Sequence, residues 1–240
     1  MENKRHRMST TAKDNLVGYG LIAPALILLV IIGMVPIIIT VSYSFQYRVL
    51  TDPLNIHFIG LQNYVTLFKD GNFQQAFKNT MIFAVLSIIF QLFFGFVGAF
   101  LMHKATKGVG LVRTAVLIPW AIPGIIIAYM FSFMFNDQLG VINRLLQSTG
   151  IIGSSITWLT SKYWAMLVVV LADTWKQFPY VALMLLAGLQ TISDEQYEAA
   201  KVDGAGKIRC FFSITLPNLK SVLLIILLFR TMVGPIFLLG

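Results

Sequence analysis

Apolar residues in this chain of 240 come in long blocks rather than in the interrupted stripes of a surface helix. No charged residue lies between Asp14 and Arg48, and Gly20 to Tyr43 reads as a first span. Further blocks run from about Thr80 to Met102, Thr114 to Phe135, and Tyr163 to Leu189, the last broken only by Asp173 and Lys176. A fifth starts near Leu219 and runs to the final residue, interrupted by Arg230. A helix needs about 20 apolar residues to cross about 30 Å of hydrocarbon, and soluble helices rarely stay apolar on every face for that length. The pattern predicts an all-α, polytopic membrane protein with five visible transmembrane helices. Lys4, Arg5 and Arg7 resemble the basic start of a signal peptide. The apolar stretch after them is too long, however, and Ser42-Tyr43-Ser44-Phe45 offers no cleavage pattern, so a permanent helix is expected.

Composition agrees with that pattern. The chain is 57% hydrophobic and 12% charged, against about 25% charged in soluble domains. The net charge of +8 has no basic run interleaved with aromatics, so nucleic acid is not an expected partner. It reads instead as positive cytoplasmic loops. With the N-terminus (residues 1–17) inside, eleven Lys and Arg fall on the cytoplasmic side, among them Lys104, Lys107, Arg113, Lys201, Lys207, Arg209 and Lys220. Five fall outside: Arg48, Lys69, Lys78, Arg144 and Lys162. Cys210 is the single cysteine, which excludes an internal disulfide, and no metal or cofactor pattern accompanies it.

A polar stretch at about 190–219 differs from the other loops. Ser193 can cap a helix whose first turn carries Asp194 and Glu195, where the helix dipole favours acids. Gly204 can end that helix with a positive φ, and a second short helix can run on to Pro217. A helix–turn–helix lying on the cytoplasmic face, rich in both charge signs, would make a docking surface.

Glu198-Ala199-Ala200, Gly204, Ile214, Leu216 and Pro217 fit the pattern E-A-A, three residues, G, nine residues, I-x-L-P, with seven fixed residues over twenty positions. This resembles the EAA signature of bacterial ABC importer permeases. Other stretches are similar to the maltose-type carbohydrate-uptake branch: Ala23-Pro24-Ala25 with Pro36, Gly60-Leu61-Gln62-Asn63-Tyr64, Lys78-Asn79-Thr80, and Arg113-Thr114 followed by Ile118-Pro119-Trp120-Ala121-Ile122-Pro123. Asp173-Thr174-Trp175-Lys176-Gln177-Phe178-Pro179 and Ala187-Gly188-Leu189-Gln190 complete the likeness.

The resemblance implies one transmembrane domain over 1–240 with a six-helix core. It also implies a second permease subunit in a heterodimer, two cytoplasmic ATPase subunits, an extracellular solute-binding protein and a sugar cargo. Glu198, Ala199, Ala200, Asp203, Gly204, Ile214, Leu216 and Pro217 would couple to the ATPases. Because no G-x-x-x-x-G-K-[ST] pattern occurs, ATP chemistry is expected from the partner and not from this chain. The likeness breaks at Thr231-Met232-Val233-Gly234-Pro235, where the family continues into a sixth helix, so the C-terminal end is expected to be truncated.

Asp173 and Lys176 sit near the middle of the fourth span, where each would cost about 2.5–3.5 kcal/mol facing lipid. Three residues apart, they share a face and can pair; Gln177 and Tyr180 extend the stripe, and Trp175 offers a flat face on which sugars stack. One reading makes Asp173, Trp175, Lys176, Gln177 and Tyr180 a sugar-lining wall, as the matching helix is in maltose-type permeases, with Arg230 added from the last span. The other makes the charges a structural pair where two permeases meet. Gly95 and Gly98 are expected at a close helix contact. Cargo other than sugar, such as glycerol phosphate or a polyol, stays open. An ion-coupled secondary transporter is also open, although no repeated halves are present.

Overall fold

The computed structural model describes residues 10–49, 51–104 and 109–233. Two compact units divide the chain, residues 1–76 and 77–240.

In the first unit, α1 (Thr10–Ser44) is a 35-residue helix. Its segment Val17–Ser44 is long and apolar enough to cross a membrane, and none of its most apolar stretch is buried within the chain. A short antiparallel hairpin follows, β1 (Gln46–Val49) against β2 (Asp52–Phe58), and then α2 (Gln62–Lys69). The Gly60–Tyr64 motif explains how the chain turns back here. Gly60 holds φ +59°, a conformation costly for a side chain. Asn63 donates to the carbonyls of Ser44 (2.9 Å) and Gln46 (3.0 Å), and Tyr64 bonds Ser44 Oγ at 2.6 Å. The carbonyl of Ser44, one of those left without a helical partner at the end of α1, is thereby satisfied.

The second unit is built on α3 (Gly71–Lys104) and α7 (Lys162–Leu189). One stripe of α3 is buried: Phe83, Ser87, Gln91, Gly95, Gly98 and Met102. Its C-terminal half packs with Val181, Ala182, Leu185, Leu186 and Leu189 of α7 into the main core. The glycines permit that approach, the close helix contact expected of them. A Cβ on Gly95 would fall 2.5 Å from Val181 Cγ1 and 3.0 Å from its Cβ, and one on Gly98 would fall 3.1 Å from Ala182 Cβ. Val181 is β-branched and stiff, so Gly95→Ala is expected to destabilise the helix pair by about 1–3 kcal/mol. Gly20→Ala, with nothing within 4 Å of the new methyl group in helix α1, should not lower stability and gains up to about 1 kcal/mol in helix propensity. Thermal unfolding of the detergent-solubilised protein distinguishes them; equal midpoints would contradict the packing.

The third span is not the straight helix expected from Thr114 to Phe135. It is a bent pair, α4 (Val109–Ala121) and α5 (Gly124–Met134), with 91° between them. Pro123 supplies the reason: it has no N–H to continue the ladder, and it pushes the preceding residue out of the helical region. Beyond it, α6 (Val141–Ser148) anchors the loop that leads to α7 through buried Asn143. That side chain donates to the carbonyls of Asp137 and Ile156 and accepts from Ile156 N and Trp158 Nε1. The last elements are α8 (Asp194–Val202), α9 (Lys207–Cys210), a π-helical turn over Phe211–Thr215, α10 (Leu216–Asn218) and α11 (Lys220–Val233).

By length and apolarity, α1 and α3 can each cross a membrane, as can two bent pairs, α4–α5 and the arm Lys207–Asn218 with Lys220–Met232. Helix α7 has the length at 28 residues, but its polar middle keeps it out of that class. The 46–58 hairpin is an addition to the all-helical expectation. Of the expected divergence at Thr231–Pro235 only Thr231 to Val233 fall within the described residues; the end of the chain and the first nine residues lie outside them.

Candidate functional site

The segment 193–219 forms an elbow. Ser193 holds the N-cap position of α8 with extended backbone, although its side chain makes no capping bond. At the other end Gly204 has φ +77°. Ala205 N–H donates to Ala200 O (2.8 Å) and Gly204 N–H to Lys201 O (3.0 Å), the paired bonds of a Schellman stop. The chain then reverses into the second arm, α9 through α10. Tyr197 OH meets Thr215 Oγ1 at 2.9 Å, and Asn218 donates to Gln196 Oε1 at 3.2 Å, joining the two arms. Glu198, Ala199, Asp203, Gly204 and Pro217 are exposed, whereas Ala200, Ile214 and Leu216 are half-buried.

The second arm meets α11 at 68°, and the corner residue Leu219 is fully buried against α7. Gly188 makes room for it, since a Cβ there would lie 2.5 Å from Leu219 Cδ2. The elbow is thus rooted in the core through Leu219, with Tyr197 and Ile214 packed against the same cluster and the Phe211 ring 5.4 Å from that of Phe96 on α3, and it continues into α11.

Farther along α7 lies the polar cluster. Asp173 Oδ2 is held at 2.8 Å by Arg230 Nη2 of α11 and at 2.7 Å by Gln91 Nε2 of α3. Both ion-pair side chains are nearly enclosed, Arg230 at 5% and Asp173 at 10% exposure. The pairing of Asp173 with Lys176 suggested by their spacing does not form. Lys176 Nζ donates instead to Ile122 O at 2.6 Å, a carbonyl next to the break that Pro123 makes. A cavity of about 260 Å³ lies between α3, α5 and α7, with Phe83, Ile127, Phe131, Val168, Asp173 and Lys176 in its walls. Trp175, Gln177 and Tyr180 do not line it. Trp175 is half-buried with its ring 6.1 Å from that of Phe131, and Tyr180 packs against the main core. Sequence reasoning missed Gln91. Its signal was an amide on the same helical stripe as Gly95 and Ser87, a position where polar groups in a membrane helix need a partner.

Residues 91–238, more than half of the chain, match the family model described as binding-protein-dependent transport system inner membrane component. The chain belongs to this family. As a member, the permease is 41% identical over 218 residues to the sulfoquinovosyl glycerol transport system permease protein SmoG of Agrobacterium fabrum, covering 91% of this chain and 70% of the relative. It is 37% identical over 219 residues to the trehalose/maltose transport system permease protein MalF of Thermococcus litoralis, covering 91% and 73%. Among solved structures, a bacterial alginate ABC transporter in complex with its alginate pentasaccharide-bound periplasmic protein superposes with a TM-score of 0.73 at 25% identity. The match covers 94% of the permease and 74% of that chain. The matched family places the protein in the inner membrane as a transport subunit, with ATP hydrolysis assigned to a separate ATPase.

Proposed function

We propose that this permease imports a sugar or glycoside, together with a second permease subunit, two cytoplasmic ATPase subunits and an extracellular solute-binding protein. The elbow at 193–219 is the surface on which an ATPase subunit bears, through Glu198, Asp203 and the turn at Gly204. The observation that carries this reading is the construction of the elbow: an exposed charged helix, a Schellman turn and a second arm running directly into a core helix. Such a lever can bias two states of the cavity, which switching requires. Sugar cargo is supported by the relatives, whose names specify sulfoquinovosyl glycerol, trehalose and maltose. The cavity beside Asp173 and Lys176 is smaller than the roughly 300–1,000 Å³ of drug-sized sites. It suits one part of a ligand, with the rest of the wall supplied at the partner permease; Trp175, Gln177 and Tyr180 are assigned to that wider surface.

The test is the assembled complex in proteoliposomes. ATP turnover should rise when sugar-loaded binding protein is added, with uptake following it. Uptake that survives without ATP and collapses with an uncoupler would replace this reading with an ion-coupled carrier.

Orientation has a separate test. A Cβ at Gly71 or at Gly206 meets nothing within 4 Å, and native Cys210 is buried. Gly71→Cys should therefore react with an impermeant maleimide on intact cells, and Gly206→Cys only after permeabilisation. The reverse pattern would invert the topology.

A further inference from the structure

The ion pair between Asp173 and Arg230 is poorly suited to stabilising the fold. Arg230 Nε and Gln91 Oε1 are buried without a hydrogen-bond partner among the described residues, and a buried pair with unmet groups stabilises no better than apolar packing would. What the pair does have is a position. Arg230 lies ten residues beyond the corner of α11 at Lys220, so about 15 Å along that helix from the elbow. Asp173 forms part of the cavity wall. Gln91 ties the same carboxylate oxygen to α3, which contributes Phe83 to the same wall. Three helices therefore meet at one oxygen atom, on the cavity wall and about 15 Å along α11 from the elbow.

We propose that Arg230 is a positioning residue: through its ion pair with Asp173, strapped by Gln91, it carries displacement of the 193–219 elbow along α11 to the wall of the cavity. The proposal rests on the importer reading above. A directional, charge-assisted contact suits this role better than apolar packing, which allows helices to slide. The elbow end of α11 is fixed by Leu219 beneath Gly188, and its far end by the ion pair. The two anchors hold α11 to α7 at both ends.

The experiment uses the whole complex, with partner permease, ATPases and binding protein, reconstituted in proteoliposomes. The variant Asp173→Asn/Arg230→Gln removes both charges together and retains side chains able to bond each other. It should assemble at the wild-type level, while sugar imported per ATP hydrolysed falls about tenfold, the scale of a typical coupling between sites. If the pair were only structural, restoring charge balance would restore uptake per ATP with assembly, and that result overturns the proposal. Arg230→Lys is the second variant and decides the matter if the first fails to assemble. It keeps the charge but loses the fixed fork of the guanidinium, and uptake per ATP should fall by about threefold. A wild-type ratio in Arg230→Lys overturns the proposal. Failure of the importer reading shows up elsewhere, as a wild-type complex with no ATP-driven uptake at all.

Discussion

Gly204→Val should abolish sugar uptake while leaving the subunit in the membrane. At φ +77° a side chain costs about 1–2 kcal/mol in left-handed backbone, and a β-branched one fits least well. The valine cannot be relieved by moving away, because the two bonds from Gly204 and Ala205 that stop α8 depend on that backbone. The turn must open, and the two arms joined by Tyr197 and Thr215 then lose their fixed angle. Glu198→Lys approaches the same surface without touching the backbone. It reverses the charge on an exposed face of α8 whose folding does not depend on Glu198. Both variants are expected to reach wild-type abundance in the membrane and to retain less than about a tenth of uptake, a loss of at least about 1.4 kcal/mol in coupling. Immunoblotting of membranes beside a radiolabelled sugar uptake assay measures both quantities. Normal uptake in the two variants would remove the elbow from the coupling pathway.

The second large effect is on stability. Asp173→Asn alone leaves the Arg230 guanidinium buried without a counter-ion, and Arg230→Gln alone does the same to the carboxylate. Breaking a buried pair from one side costs about 3–5 kcal/mol, enough to lower the amount of folded protein severely. The double change should recover most of that, to within about 1 kcal/mol of wild type, because neither charge is stranded. Unfolding of the solubilised complex on heating, followed by size-exclusion recovery, gives the comparison. Single variants as stable as wild type would mean that the charges are solvated in the membrane and not enclosed as described. Lys176 is the contrasting position. Its ammonium bonds a neutral carbonyl, so Lys176→Met leaves no charge behind and should cost less, about 1–3 kcal/mol for the stranded carbonyl.

What could be read from the sequence divides along a physical line. Features set by local backbone chemistry were legible: the stop at Gly204, the fresh start toward Pro217, and the beginning of the last span beside Leu219. The contact at Gly95 and Gly98 was legible for a related reason, since a residue without a side chain in an apolar helix has few uses other than close approach. Partners chosen across the fold were not. Lys176 lies one turn from Asp173, and spacing favours their pairing. Two distant groups compete for them, however: Arg230, 57 positions away, and a carbonyl exposed by the break at Pro123. The break carried its own signal in Ile122-Pro123, which a hydropathy reading of Thr114 to Phe135 averages away. The hairpin was also visible in principle. Leu54, Ile56 and Phe58 alternate with Asn55 and His57 at strand period, in a loop read for its charge and for the Gly60–Tyr64 motif that follows.

The π-helical turn at Phe211–Thr215 bears on how this protein tolerates changes in length. Such a turn accommodates one residue more than an α-helix would need along the same path, absorbing it as a local bulge. A one-residue deletion at exposed Ser213 can therefore close the bulge into ordinary helix and leave Leu219 and everything beyond it facing as before. The same deletion in α11 has no slack to consume. It would rotate every later side chain by about 100° and swing Arg230 away from its carboxylate.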